Sequence, residues 1–298
     1  MITILTPTYN RGNMIQNLYQ SLCAQTNKNF QWLIIDDGSN DNTKEIIKSF
    51  KSNDFIIEYY FKENGGKHTA LNYAHPYIKG DWVFVVDSDD ILTNDAIYLV
   101  YFYIEKYKNN FNIGCLSFQK VDTKGNISSF NKYNELISNA IDYRINQNIK
   151  GEQAEIYKSE VFKKFVFPVF KNEKFLEENY LHINAAFITS TVYISKVIYI
   201  FEYIENGLTK QGRKLKIKNP KGEMTVYKLY FCDKFRFRQR LKGITLFIIY
   251  ALFAKKNLRE IYKFTGKNIL YFVSVLPSIL IYFYWRKKYI IWRNVNGE

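Results

Sequence analysis

The feature that most constrains the fold is an alternation, in the first third of the chain, between continuously apolar segments and segments of helical spacing. The segments ITILTPTY, FQWLIIDD and DWVFVVD are apolar at consecutive positions, whereas NRGNMIQNLYQSLCAQ repeats apolar residues every three or four positions. Strands that are apolar on both faces are typical of parallel sheets covered by helices on each side. The alternation therefore predicts an α/β fold with a mostly parallel sheet.

A polar cluster follows each of four predicted strands, at residues 6–11, 36–39, 64–67 and 87–90. The carboxyl ends of parallel strands meet at one edge of a sheet, and ligands bind beyond that edge. The four clusters are therefore expected to converge on a single cleft that contains several carboxylates.

The acidic cluster DSDD, residues 87–90, directly follows an apolar strand. An Asp-x-Asp pair such as Asp87 and Asp89 suits a divalent cation that takes its other ligands from water and from phosphate oxygens. For the motif alone, a solvated acidic loop is an equal alternative. Its place beside three other polar strand ends favours the cation site.

Charge is distributed unevenly along the 298 residues. Residues 1–209 hold 21 Lys and Arg against 24 Asp and Glu, whereas residues 210–298 hold 21 against 4. A strongly basic tail predicts a polyanionic partner, either nucleic acid or an anionic membrane. The three cysteines include no CxxC pair, which argues against a disulfide framework or a cysteine zinc site and fits a reducing, cytosolic setting. The N-terminus is interpreted as a first strand rather than a signal peptide.

The tail combines basic and aromatic residues with two apolar stretches, 243–254 and 269–285. The second stretch contains Pro277 and falls short of the roughly 20 residues that span a bilayer. Both stretches are expected to insert at a membrane interface, with a true span and buried helices as the alternatives. The predicted organisation is a catalytic domain over 1–209, with halves 1–110 and 111–209, followed by a basic, helical, membrane-associating region over 210–298.

Four motifs carry a family resemblance. TPTYNR, IIDDGSND, NGGKHTALN and VVDSDD, in this order and spacing, resemble the inverting family 2 glycosyltransferases with the GT-A fold. The resemblance covers about the first third of the chain well and extends weakly to near residue 215. It implies a Rossmann-like GT-A domain that transfers a sugar from a nucleotide-sugar donor, expected to be a UDP-sugar, as in bacterial envelope polysaccharide synthesis.

The resemblance also implies roles for individual residues. Asp87 and Asp89 match the metal-binding motif for Mn²⁺ or Mg²⁺, with Asp89 as the direct ligand. Lys67 either adds charge at the phosphates or is an ordinary loop lysine. The expected donor-binding residues, of which Thr6, Tyr9, Asp36 and Asp37 match base and ribose contacts, are Thr6, Pro7, Tyr9, Arg11, Asp36, Asp37, Asn64, Gly66, Lys67, Asp87 and Ser88.

Inversion in one displacement requires a general base, which in this family is an acidic residue at the start of a helix beyond the metal motif. The segment EKFLEENYLH offers Glu173, Glu177 and Glu178, and the pattern matches best at Glu178, with Glu177 second. The acceptor is expected to be a lipid-linked saccharide or an oligosaccharide at the cytoplasmic face of the membrane.

Two other classes of function compete with the enzyme. A nucleic-acid-binding protein would use the basic tail but would leave the polar strand ends unexplained, so no nucleic-acid partner is expected. A catalytically inactive subunit that only binds the nucleotide sugar is the second alternative, and self-association is left open.

Overall fold

The computed structural model describes residues 1–129, 133–202, 208–266 and 269–291. The chain divides into two compact units. The first unit comprises Met1–Phe167 and Leu181–Ile204, and the second comprises Pro168–Tyr180 and Glu205–Glu298. The domain boundary predicted at residue 209 stays a prediction.

The first unit contains the strands, and their bounds follow the predicted alternation closely in the first third of the chain. The strands are β1 (Ile2–Thr8), β2 (Phe30–Asp36), β3 (Ile56–Phe61), β4 (Trp82–Val85), β5 (Ile91–Leu92), β6 (Ile113–Asp122), β7 (Glu135–Ser138), β8 (Gln153–Lys158) and β9 (Ser190–Phe201). The helices of this unit are α1 (Gly12–Cys23), α2 (Thr43–Ser49), α3 (Lys67–Ala74), α4 (Ala96–Tyr107) and α5 (Ser159–Lys164), and α6 (Asn179–Ala186) joins it to the second unit.

Within the described residues the strands form one nine-stranded sheet in the order β3-β2-β1-β4-β8-β6-β9-β5, with β7 paired to β9. The strands β3, β2, β1 and β4 are parallel, as predicted. Beyond β4 the sheet is mixed, because β8 lies antiparallel to both β4 and β6. The segment QAEIYK of β8 places polar residues among its apolar ones, a pattern typical of antiparallel strands and not of a continuously apolar parallel strand. The α/β prediction is confirmed, and the sheet is less parallel than expected.

The core of the first unit lies on both faces of the parallel strands. Every residue of β1 and β2 is buried, including polar ones such as Thr3 and Gln31, whose side chains hydrogen-bond to each other at 2.6 Å. Helix α1 covers one face with Ile15, Leu18 and Leu22, which recur at helical spacing. This packing fixes the carboxyl ends of the strands, where the predicted site residues lie.

The carboxyl-terminal part of the second unit is mainly helical where the structure describes it. Its helices are α7 (Leu208–Lys218), α8 (Pro220–Lys228), α9 (Phe237–Phe253), α10 (Leu258–Phe264) and α11 (Leu270–Arg286). Helix α9 is central, because Ile244, Phe247 and Ile248 are buried against α10 and α11. The expectation that residues 243–254 insert into a membrane is therefore wrong: their apolar side chains form the core of this unit.

Helix α11 differs from α9 in leaving one face exposed. Leu270, Tyr271 and Trp285 are buried, whereas Phe272, Leu276 and other large apolar residues of the helix are exposed. In the part of the chain that the structure describes, no helix is both long enough and apolar enough to cross a membrane.

Candidate active site

The carboxyl ends of β3, β2, β1 and β4 lie side by side along one edge of the sheet. Thr8 is in register with Asp36, and Asp36 with Phe61, so these three strands end at the same level. Three of the four predicted polar clusters begin within three residues of that level, and the fourth follows β4. The structure thus brings the clusters together as the sequence predicts.

Asp36 and Asp37 build the loops of this edge. The Asp36 carboxylate is fully buried and accepts hydrogen bonds from the backbone N–H of Ser39 and from the Tyr59 hydroxyl, each at 2.8 Å. Burial and the bond to Asp36 raise the pKa of Tyr59 well above its ordinary value, so Tyr59 stays a neutral donor.

The Asp37 carboxylate organises the glycine loop that follows β3. It accepts the backbone N–H of Gly65 at 3.0 Å and of Gly66 at 2.6 Å, and it pairs with the Lys62 ammonium at 2.6 Å. The Asn64 side chain donates to the Asp37 backbone oxygen at 2.8 Å. These contacts hold the predicted donor-binding residues Asn64 and Gly66 in place, while donor contact by Asp37 itself stays a prediction.

The loop after β1 is tied to the loop after β2. The backbone N–H of Asn10 donates to the Ser39 hydroxyl at 2.8 Å, and that of Arg11 donates to Thr43 at 3.1 Å. Thr6 lies below the edge, where its buried hydroxyl accepts from the Trp32 indole at 3.0 Å.

Pro7 and Ser88 are also buried, whereas the Tyr9 side chain is 45% exposed. Tyr9 is therefore accessible to a ligand at this edge. Of the side chains predicted to contact base and ribose, those of Thr6, Asp36 and Asp37 have protein partners.

Two cations face the Asp-x-Asp motif. Lys67 Nζ, from the first position of α3, lies 2.5 Å from Asp87 Oδ1, and Arg11 Nε lies 3.7 Å from Asp89 Oδ2. Burial, together with the Asp87 carboxylate, raises the pKa of Asp89 above its ordinary value. The motif therefore carries negative charge that is only partly compensated by the protein.

Tyr199 on β9 contacts the acidic loop at two points. Its buried hydroxyl accepts the backbone N–H of Asp87 at 3.0 Å and donates to Asp90 Oδ2 at 2.7 Å. Burial and the Asp87 charge raise the pKa of Asp90 to about 7. Tyr199 was not predicted at the site, since a tyrosine in a β-branched strand has the sequence pattern of a core residue. Asp90 lies in the predicted acidic cluster but was assigned no role.

The predicted base candidates lie in the second unit. Glu173 accepts the backbone N–H groups of Lys221 at 3.0 Å and Gly222 at 2.9 Å, so it caps the first turn of α8. Glu177 pairs with Lys216, whose ammonium also lies 3.3 Å from the buried carboxylate of Glu223.

Glu178 directly precedes α6, as the predicted position of a base at a helix start requires. The capping bonds of Glu173 assign it a structural part, and the ion pair of Glu177 occupies one of its oxygens. The order of candidates, Glu178 before Glu177, stays a prediction.

Comparison with known proteins shows the family to which the chain belongs. A family profile described as "Glycosyl transferase family 2" matches residues 3–178, more than half of the chain. The chain belongs to glycosyl transferase family 2. The predicted family is thereby confirmed, and the four polar strand ends of this family 2 glycosyltransferase all lie within the matched segment.

The curated relatives share the amino-terminal part of this family 2 glycosyltransferase. An uncharacterized glycosyltransferase of Rickettsia felis is 36% identical over 124 residues, which are 42% of this chain and 20% of the relative. Glycosyltransferase GlyA of Streptococcus pneumoniae is 34% identical over 113 residues, 38% of this chain and 16% of the relative. The chain thus matches about a fifth of the length of these relatives or less.

Solved structures resemble a larger part of the family 2 glycosyltransferase. Residues 1–349 of S. aureus TarS in complex with UDP-GlcNAc superpose with a TM-score of 0.66 at 19% identity, covering 87% of this chain and 77% of TarS. The Pyrobaculum calidifontis mannosyltransferase PcManGT, in complex with GDP-Man and Mn²⁺, gives a TM-score of 0.56 at 15% identity, covering 96% and 86%. These similarities confirm the predicted GT-A fold.

Proposed function

We propose that this chain is a metal-dependent, inverting glycosyltransferase that transfers a sugar from a UDP-sugar to a saccharide acceptor. The observation that carries the proposal is the Asp-x-Asp motif at the carboxyl end of β4, beside the loops that follow β1, β2 and β3. In α/β sheets of this kind the ligand binds beyond that edge. Membership of glycosyl transferase family 2 supports a nucleotide sugar as the ligand.

The residues at the motif fit Mn²⁺ or Mg²⁺. Their carboxylate oxygens are the ligands that hard cations prefer, and such ions are commonly held by one or two carboxylates with phosphate oxygens and water completing the shell. In the described residues no group of three acidic, histidine or cysteine side chains forms a metal cage. Burial and the neighbouring Asp87 carboxylate raise the pKa of Asp89, and a bound cation would favour the charged form of both carboxylates. Asp89 and Asp87 would hold the ion.

When bound, the cation neutralises charge that develops on the departing nucleoside diphosphate. Lys67 and Arg11, which face Asp87 and Asp89, lie close enough to donate to the same phosphates once the carboxylates have another partner. Their positive charge would then stabilise the leaving group directly. Lys67 is therefore assigned a donor-binding part in the proposal.

The donor would lie along the loops of the strand edge. The exposed ring of Tyr9 offers a stacking surface for a base, and Asn64 and Gly66 border the same edge through their bonds to Asp37. UDP is the favoured nucleotide because S. aureus TarS, a structure with the same fold, holds UDP-GlcNAc.

The acceptor hydroxyl would lose its proton to Glu178 as the new glycosidic bond forms. A carboxylate in this role removes the proton while the hydroxyl oxygen attacks the anomeric carbon, and the nucleoside diphosphate leaves from the opposite side. The position of Glu178 directly before α6 supports this assignment.

A lipid-linked saccharide at the cytoplasmic face of the membrane, as used in envelope polysaccharide synthesis, is the proposed acceptor. The support is the basic tail, since residues 210–298 carry 21 Lys and Arg against 4 Asp and Glu. Such a charge attracts the protein to an anionic membrane surface.

Substitution of the two glutamates tests the proposal. We expect Glu178→Gln to keep donor affinity, measured by thermal shift with UDP-sugars and Mn²⁺, and to lose turnover by roughly 10²–10⁴-fold, the usual contribution of a positioned base. Turnover is measured as transfer of labelled sugar from a panel of UDP- and GDP-sugars to extracted membrane lipids.

Glu177→Gln is the matched control and should lose far less turnover. Equal turnover of both variants and the wild type would contradict the assignment of the base. Donor binding without any transfer in the wild type would instead favour an inactive nucleotide-sugar-binding subunit.

A further inference from the structure

We propose that the exposed face of α11 is a docking surface for an anionic lipid bilayer. The α11 stripe is defined as Ile269, Phe272, Val273, Leu276, Leu280, Phe283 and Tyr284. The inference deepens the proposed function, because it identifies the surface that would bring the enzyme to a lipid-linked acceptor.

The α11 stripe occupies one side of the helix. Its side chains are between 58% and 76% exposed, and they recur at intervals of three and four residues. The opposite side is fixed within the second unit, where Leu270, Tyr271 and Trp285 are buried. The helix thus has large apolar residues on both sides but is covered on one side only.

A polar bond also anchors the covered side. The buried Ser278 hydroxyl lies 3.1 Å from the backbone oxygen of Thr245 in α9 and 2.6 Å from that of Ser274 in its own helix. This contact and the buried Trp285, whose ring lies 3.8 Å from the Arg213 guanidinium, fix the rotation of α11 about its axis. The exposure of the stripe therefore follows from the packing of the unit.

A continuous row of large apolar side chains differs from ordinary surface exposure. Single exposed apolar residues, such as Phe111 and Val166, are normal on any protein. Contiguous apolar patches beyond a few hundred Å² mark surfaces that bind a partner or a membrane. The α11 stripe is such a contiguous apolar patch.

Charge identifies the partner. Arg286, Lys287 and Lys288 are exposed at the carboxyl end of α11, and Lys263 is exposed shortly before its start. Basic residues beside an apolar face bind anionic headgroups, and each contributes about a fivefold gain in affinity near the surface. Packing two copies with their α11 helices parallel would bring Arg286, Lys287 and Lys288 of both copies together, and charge repulsion disfavours that arrangement.

The geometry of docking follows from the one-sided exposure. With its covered side toward α9, α11 would lie parallel to the membrane plane and insert the stripe roughly 5–10 Å, to the boundary between headgroups and acyl chains. Phe283 and Tyr284, next to the basic end, would sit at headgroup level, where aromatic residues concentrate.

Vesicle co-sedimentation of the full chain tests the proposal. The vesicles contain phosphatidylglycerol and phosphatidylcholine, or phosphatidylcholine alone. The stripe variant combines Phe272→Ser, Leu276→Ser and Leu280→Ser, and the control combines Phe111→Ser, Val166→Ser and Val169→Ser, which are exposed elsewhere.

We expect the wild type and the control to pellet with the anionic vesicles and the stripe variant to bind at least tenfold more weakly. A Lys287→Gln, Lys288→Gln double variant should lose roughly 25-fold on anionic vesicles. Circular dichroism melting confirms that each variant is folded.

Three outcomes would overturn the proposal. The stripe variant could pellet like the wild type, or the wild type could ignore anionic vesicles at low salt. Light scattering could instead show a wild-type dimer that the stripe variant converts to a monomer without vesicle binding, which would assign the stripe to a second copy. Metal-dependent hydrolysis of UDP-sugars without vesicles separates this test from that of the proposed function, because the stripe substitutions should leave it unchanged.

Discussion

At the scale of single residues, Tyr199 shows how a buried side chain controls an acidic loop. Its hydroxyl fixes the backbone of Asp87, one of the proposed metal ligands, and the carboxyl group of Asp90 at the same time. Lys120 Nζ lies 4.0 Å from the centre of the Tyr199 ring and adds positive charge nearby. Tyr199 is therefore a positioning residue, which acts on the site through the loop.

Tyr199→Phe should weaken both the fold and the site. Removal of the hydroxyl leaves the Asp87 N–H and the Asp90 carboxyl group without this partner, which costs about 1–3 kcal/mol of unfolding free energy. Because the loop loses its anchor, the Mn²⁺ concentration for half-maximal turnover should rise about tenfold, an effect on the order of 1.4 kcal/mol. Turnover measured against Mn²⁺ concentration checks this.

The control for Tyr199 is Tyr193→Phe on the same strand. Tyr193 is a buried tyrosine whose ring lies 4.2 Å from that of Tyr143. Tyr193→Phe therefore removes a buried hydroxyl group from the core and keeps the ring in place. Tyr193→Phe should keep the Mn²⁺ dependence of the wild type. An equal shift in both variants would mean that Tyr199 acts only through overall stability.

The residues of the site were predictable only where a local pattern existed. Asp87 and Asp89 follow an apolar strand. A carboxylate directly after such a strand indicates a ligand-binding position, because ligands bind beyond the carboxyl ends of parallel strands. Tyr199 is separated from its partners by more than 100 positions, and its environment depends on the register of β9. The loop-building bonds of Asp37 likewise depend on the neighbouring strand, so the sequence left them unforeseen.

At the scale of elements, the loop after β2 depends on close contact with the loop after β3. Gly38 has a φ of +87°, and a Cβ added there would lie 2.7 Å from the backbone nitrogen of Asn64. The two loops therefore approach each other too closely for any side chain at this position. The contact keeps Asn64 in place for its bonds to Asp37.

Gly38→Ala should cost more stability than Gly125→Ala. Both glycines have a positive φ, +87° and +83°, so both alanines bear the left-handed strain, about 1–2 kcal/mol. An added Cβ meets nothing within 4 Å at Gly125, whereas at Gly38 it displaces backbone, which adds about 1–3 kcal/mol. Urea unfolding of the two variants measures the difference, and equal midpoints would contradict the tight contact.

Strands and helices whose apolar residues recur in one clear pattern were predicted well. Those whose sequence fits more than one kind of structure were not. The strands β1, β2 and β4 and the helix α1 follow from their apolar patterns. The short strands β7 and β8 were not predicted, because the alternation of polar and apolar residues in them extends over only 4 and 6 residues. Helix α9 was misassigned since an apolar helix suits a core and a membrane surface equally well.

At the scale of the whole molecule, the distribution of charge matches the two proposed tasks, which are donor binding and membrane binding. Residues 1–209 are slightly acidic and supply the carboxylates of the strand edge, whereas residues 210–298 carry a net charge of +17. The carboxylates of residues 1–209 suit a diphosphate that binds through a cation. The positive charge of residues 210–298 suits an anionic membrane surface.

We propose that a nucleoside diphosphate binds at the strand edge through a divalent cation held by Asp87 and Asp89. Isothermal titration calorimetry of the full chain with UDP, in Mn²⁺ and in EDTA, tests it directly, with Asp89→Ala as the site variant and the exposed Asp54→Ala as the control. We predict that UDP binds at least tenfold more tightly in Mn²⁺, that Asp54→Ala keeps this difference and that Asp89→Ala abolishes it. Equal UDP affinity with and without Mn²⁺, or an Asp89→Ala variant that retains the difference, would contradict the binding of UDP through a cation at these two carboxylates.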